Sequence, residues 1–142
     1  MSASENPIRL AGLDHVVLRV RDVTAMTRFY CDVLGCTEAR MRDELGLYHL
    51  QAGGSMIDLV DVAGELGRKG GPAPGPEGNN MDHLCLRVAD FDAERLRAHL
   101  AAHGIDAGEV LTRYGAAGDG PSLYVTDPEG NTVELKGYPD DA

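Results

Sequence analysis

Leu13-Asp14-His15-Val16-Val17-Leu18-Arg19-Val20 returns, little changed, as Met81-Asp82-His83-Leu84-Cys85-Leu86-Arg87-Val88. Asp, His, Leu, Arg and Val hold the same places, and a further Asp follows each copy, Asp22 and Asp90. A fixed repeat means that one supersecondary unit has been used twice. Both stretches are short, apolar and rich in β-branched residues, which favours strands. Alternation puts His15, Val17 and Arg19 on one face, and Val16, Leu18 and Val20 on the other.

Working outward, Asp22 offers an N-cap, and Val23, Met26, Phe29, Tyr30 and Val33 follow at helical spacing. Gly35 stops that helix. Strand-like pieces follow near 37–43, 46–51 and 55–60, so the unit reads β-α-β-β-β. In the second copy Asp90 is the expected cap, Phe91, Leu96 and Leu100 mark the helix, and Gly104 ends it. Strands are expected near 105–111, 121–126 and 131–136. The units span 13–61 and 81–137. Residues 62–80 are rich in Gly and Pro and read as a linker, or else as a loop covering a site. Residues 1–12 read as an arm.

The chain has 142 residues, 43% hydrophobic and 25% charged, which suits one globular domain or two small units sharing a core. A formal net charge of -10 argues against nucleic acid as a partner. The polar start, Met1 to Arg9, carries neither a signal peptide nor a membrane span. Three cysteines, Cys31, Cys36 and Cys85, form no C-x-x-C pair, which suits reduced thiols in a cytoplasm.

Each unit has a His on its first strand and a carboxylate on its last: His15 with Asp58, and His83 with Glu134. If the units pack about a pseudo-two-fold axis, both pairs converge. Two imidazoles with one or two carboxylates suit a divalent first-row metal with an open position. The turn Asp127-Pro128-Glu129-Gly130-Asn131, taken as a three-residue loop, sets Tyr124 opposite Glu134. The same count with Ala52-Gly53-Gly54 as the loop sets Tyr48 opposite Asp58. Each phenol either hydrogen-bonds a substrate or fills the floor of the sheet. Arg19 and Arg87 share the faces of their histidines, where a cation either meets a substrate carboxylate or reaches solvent. No G-x-S-x-G elbow, P-loop or H-E-x-x-H occurs.

These stretches, with Phe29-Tyr30-Cys31-Asp32-Val33-Leu34-Gly35 and Tyr124-Val125-Thr126-Asp127-Pro128-Glu129-Gly130-Asn131-Thr132-Val133-Glu134, resemble the vicinal oxygen chelate superfamily. That group includes glyoxalase I, fosfomycin-resistance thiol transferases, type I extradiol dioxygenases and bleomycin-binding proteins. The resemblance implies an α+β fold of two βαβββ modules forming a cupped mixed sheet, usually in a homodimer. It implies a metal (Zn, Ni, Mn or Fe) on His15, His83 and Glu134, with Asp58 at the fourth position. Aspartate is one methylene shorter than the glutamate of glyoxalase I, which leaves Asp58 as a ligand, a base or a partner through water. Arg19 fits the glyoxalase pattern, whereas Val62 stands where that pattern has Asn. Gly115, Ala116 and Ala117 stand where extradiol enzymes carry an acid–base His. The expectation is a glyoxalase-type lyase or isomerase acting on a small oxygen-bearing substrate. Glu134 or Asp58 would move the proton, with Tyr124 beside it and Arg19, Tyr48 and Arg87 on the substrate. An Fe(II) dioxygenase and a drug- or metabolite-binding protein are the alternatives.

Overall fold

The computed structural model describes residues 6–139. The first five residues of the expected arm lie outside them. The first unit is β1 (His15–Val20), α1 (Val23–Arg28, continued by a π-helical turn, Phe29–Val33), β2 (Thr37–Arg42), β3 (Leu47–Ala52) and β4 (Ser55–Asp61). The second is β5 (Leu84–Arg87), α2 (Ala93–Ala102), β6 (Leu111–Gly115), β7 (Gly118–Thr126) and β8 (Thr132–Lys136). Each forms its own four-stranded mixed sheet, ordered β1-β4-β3-β2 and β5-β8-β7-β6. The first strand of each unit runs parallel to the last, and the remaining pairs are antiparallel. This is the expected α+β architecture.

Register sorts the side chains. In the first sheet Leu18, Val20, Leu50, Ile57 and Leu59 face a core that also takes Met26, Phe29 and Tyr30 from the helix. In the second, Leu123, Val125, Val133 and Leu135 join the same cluster with Phe91 and Leu100. One continuous apolar core therefore ties the two units together. Polar contacts reinforce it. The Tyr30 hydroxyl donates to Asp127 Oδ2 at 2.8 Å. Glu129 accepts from the backbone N–H groups of Arg21 and Asp22 at 2.7–2.9 Å.

Three expectations change. The strand near 105–111 is a loop, with β6 starting only at Leu111; Gly108 takes φ 64° and its N–H is capped by the Asp106 carboxylate. The cap of α2 is Asp92, whose side chain accepts from the Arg95 N–H, while Asp90 turns the chain at φ 52°. The third concerns β3. Ala52 pairs with Ser55, so the hairpin turns on two residues, Gly53 and Gly54. Gly-Gly suits such a turn because both central positions tolerate positive φ, and Gly53 has φ 61°.

That shorter loop slides the register by one and exchanges the faces of β3. Tyr48 pairs with Leu59 and packs against the core, not opposite Asp58; His49 takes the place beside Asp58. Residues 62–80 hold a 3₁₀ turn, Gly67–Gly70, and a small bridge, Gly75 to Gly78. No helix among the described residues is long and apolar enough to cross a membrane.

Candidate metal and substrate site: two half-sites

The face of each sheet turned away from the core carries one half-site. On the first, β1 supplies His15, β3 His49 and β4 Asp58. Asp58 is 4% exposed, yet both its oxygens face imidazoles. Its Oδ1 lies 2.9 Å from His49 Nδ1, and its Oδ2 lies 4.0 Å from His15 Nε2. The other ring nitrogen of His15, Nδ1, is 2.6 Å from Asp14 Oδ1.

On the second sheet, His83 Nδ1 is 2.6 Å from Asp82 Oδ1, and its Nε2 lies 3.3 Å from Glu134 Oε1. The repeated Asp-His dipeptide thus does one job twice: the Asp holds Nδ1 and leaves Nε2 facing the carboxylate on the last strand. A carboxylate on the far nitrogen is the usual support of a metal-binding imidazole, because it fixes the ring and its tautomer. The hydrogen bonds that the imidazoles make to the Asp14 and Asp82 carboxylates also raise the pKa of both histidines, with Asp58 and Glu134 adding to the effect.

Glu134 is buried, 5% exposed, and well supplied with donors. Ser122 Oγ–H donates to Oε2 at 2.7 Å, and the Tyr124 hydroxyl to Oε1 at 3.2 Å. Tyr124 lies directly opposite Glu134 in the ladder, as the turn arithmetic requires. Its ring meets that of His83 edge-on, centroids 6.0 Å apart. Cys85 pairs with Glu134 across β5 and β8. Burial, followed by the Glu134 charge, pushes its thiol up to about 11, so it is a poor nucleophile near neutrality.

The arginines differ. Arg19 shares the open face with His15, but its guanidinium is spent on the carbonyls of Gly67, Gly71 and Pro72 at 2.8–3.2 Å. The segment 62–80 is thereby folded against β1. Arg87 remains exposed on the open face, its guanidinium 3.9 Å above the centre of the Tyr138 ring.

The pairs His15–Asp58 and His83–Glu134 are each brought together within a unit, but the two pairs are not brought to one another. Among the described residues no group of three or more His, Cys, Asp or Glu side chains is arranged to hold a metal ion. The donor chemistry fits a divalent ion in halves: two imidazole nitrogens with ordered supports, and two carboxylates, split between modules. Sequence reasoning missed His49 and Ser122. The Gly53-Gly54 turn signature leads to His49, and alternation from Tyr124 leads to Ser122, two residues earlier on the same face.

Known proteins agree with this architecture. A model of the Glyoxalase/Bleomycin resistance protein/Dioxygenase superfamily matches residues 12–135. Glyoxalase domain-containing protein RDO1 of Mycosarcoma maydis is 31% identical over 137 residues, covering 96% of this chain and 73% of that protein. Virulence protein STM3117 of Salmonella typhimurium is 32% identical over 131 residues, covering 89% and 83%. A probable lactoylglutathione lyase of Synechocystis is 28% identical over 126 residues, covering 85% and 91%. An integron cassette protein of V. cholerae superposes with a TM-score of 0.72 at 27% identity, covering 92% of this chain and 98% of that one. The fosfomycin resistance protein FosX of Listeria monocytogenes, solved with Mn(II) and sulfate, shares the fold at a TM-score of 0.65 and 16% identity, covering 92% of each chain. With its twin βαβββ units and a family match running almost end to end, this chain belongs to the Glyoxalase/Bleomycin resistance protein/Dioxygenase superfamily.

Proposed function

We propose that this chain is a metal-dependent, glyoxalase-type lyase or isomerase that acts as a homodimer on a small oxygen-bearing substrate in the cytoplasm. In the dimer, His15 and Asp58 of one chain face His83 and Glu134 of the other. The observation that carries this reading is the pair of supported imidazoles: each Nδ1 is held by the preceding Asp, and each Nε2 is turned to a carboxylate. Each half offers too few donors alone, and joining halves from two chains supplies the usual number. The likeness to a probable lactoylglutathione lyase supports the lyase class.

A divalent ion (Zn, Ni, Mn or Fe) on these residues would supply Lewis-acid stabilisation of negative charge developing on a substrate oxygen. The chain's own residues do the rest. Ser122 holds Glu134 Oε2 at 2.7 Å, which leaves Oε1, with its longer contacts to Tyr124 and to His83 Nε2, as the atom that takes the proton from substrate carbon and returns it. Tyr124 then turns its hydroxyl toward the substrate oxygen. Asp58, held by His49, plays the matching part from the other module. Arg87 presents a cation to an anionic part of the substrate.

The test is complementation between two inactive chains. His15→Ala and Glu134→Ala are purified separately, mixed under exchange conditions and assayed on 2-oxoaldehyde–thiol adducts, with metal content measured by mass spectrometry. A mixed dimer rebuilds one intact site in two, and random exchange makes about half of the dimers mixed, so metal and activity return to about a quarter of the wild-type level. Recovery of neither, with dimers demonstrably exchanging, rejects the shared site. A wild-type chain that takes up no metal under any supplementation rejects the enzyme reading.

A further inference from the structure

We infer that Lys136 and Arg87 form an oxyanion-binding end to the second half-site, so that the substrate carries a carboxylate or phosphoryl-type group beyond its reacting carbon. The inference rests on the proposed site and names its substrate class. Lys136 lies on β8 two residues after Glu134, on the same open face, one step of about 6.8 Å along the strand. Its cross-strand neighbours are Arg87 on β5 and Ser122 on β7. Two cations therefore stand side by side in the ladder, an arrangement that opposes folding unless an anion joins them.

Lys136 is only 6% exposed, and its Nζ is buried with no hydrogen-bond partner among the described residues. A buried ammonium without an acceptor is costly, and native chains rarely keep one without a reason. The nearest carboxylate along the strand cannot answer it, because Glu134 is already engaged by Ser122, Tyr124 and His83. Among the described residues no acceptor is left for it, and an oxyanion on the open face would supply one.

Two glycines explain how the side chain is stored. A Cβ on Gly115 would lie 2.7 Å from Lys136 Cε, and one on Gly120 would lie 2.8 Å from Nζ. The missing side chains leave a trough across β6 and β7 in which the lysine lies. Its four-carbon stem can lift the ammonium from that trough onto the open face. Ligand and lysine then share one space: when an oxyanion arrives, Nζ leaves the trough for it.

The experiment uses metal-free wild-type protein, so it does not depend on the metal site. Inorganic phosphate and, separately, acetate are titrated at constant ionic strength while the backbone amides of Gly115, Gly120 and Gly137 are followed by NMR. The expected result is saturable shifts with at least one anion, weakened tenfold or more in Lys136→Met and retained in Lys136→Arg. The stronger anion identifies the phosphoryl or the carboxylate class. Lys136→Met should melt no lower than wild type, because it removes an unpaired buried charge; a structural lysine would lower the melting temperature on replacement. Absence of saturable shifts in wild type, or shifts undiminished in Lys136→Met, overturns the inference. Either result leaves the metal and complementation tests standing.

Discussion

His49 Nδ1 and Asp58 Oδ1 lie 2.9 Å apart across the β3–β4 ladder, in the position that Tyr124 and Glu134 occupy across β7–β8. The partner of Tyr124 in the first module is thus an imidazole rather than a phenol. It fixes one oxygen of Asp58 and leaves the other facing His15. Removing such a support from a metal-binding carboxylate typically weakens metal affinity about 10–100-fold. His49→Ala is expected to fall in that range in a competition titration with zinc, and His49→Gln to recover part of it. Unchanged affinity in His49→Ala would remove His49 from the site.

Tyr30 is buried completely, and its hydroxyl donates to Asp127 of the other unit. Tyr30→Phe keeps the ring in the core and deletes only that bond. A hydrogen bond to a charged group contributes about 1.5–3 kcal/mol. Urea unfolding should show a loss of that size with an unchanged m-value. A loss below about 0.5 kcal/mol would mean that the apolar core alone holds the units together.

Arg19 fastens residues 67–72 to β1 through three carbonyls. Arg68 and Lys69 lie within that segment and are trypsin targets. In Arg19→Met, losing even about 1 kcal/mol of net bonding raises the open population roughly fivefold. Cleavage after Arg68 or Lys69 should accelerate by at least that factor, read from the fragment masses. An unchanged rate would show that the segment is held by its own turn.

Cys85 is accessible as a residue, but its thiol is partly desolvated beside Glu134 of the neighbouring strand and pushed up to about 11. The sign follows from the causes: burial and the Glu134 charge both disfavour the thiolate. Alkylation by iodoacetamide should therefore be slow at pH 8 and rise about tenfold per pH unit until near pH 11. Glu134→Gln should raise the rate at a fixed pH, since it removes the negative charge beside the thiol. A rate that levels off near pH 8.5, the ordinary thiol value, would contradict this environment.

Much of this was legible in the chain, for reasons that differ by residue. The Asp-His repeat gave the unit, and Asp-Pro-Glu-Gly-Asn fixed the β7–β8 register because Pro128 and Gly130 leave one loop length available. Gly53-Gly54 did not. Two adjacent glycines permit both a two- and a three-residue turn, and that single step moved Tyr48 to the core and His49 to the site. Asp90 and Asp92 are equal as caps on paper; only the left-handed turn at Asp90 decides between them. Lys136 gave no signal in the sequence, because the glycines against its side chain, Gly120 on the next strand and Gly115 on the one beyond, lie 16 and 21 positions earlier in the chain.

The two hairpin tips, alike in place within their modules, have taken on unequal duties. Glu129 reaches from the β7–β8 tip to the exposed N–H groups at the entry to α1, while the Gly53-Gly54 tip carries no side chain to reach anything. Saturation mutagenesis should therefore find the second tip intolerant of change at Glu129, with Asp as the best substitute. The first should accept most residues able to turn, insertions included. After a duplication, that freedom allows the first module to acquire new loops at its tip while the second keeps the two halves in step.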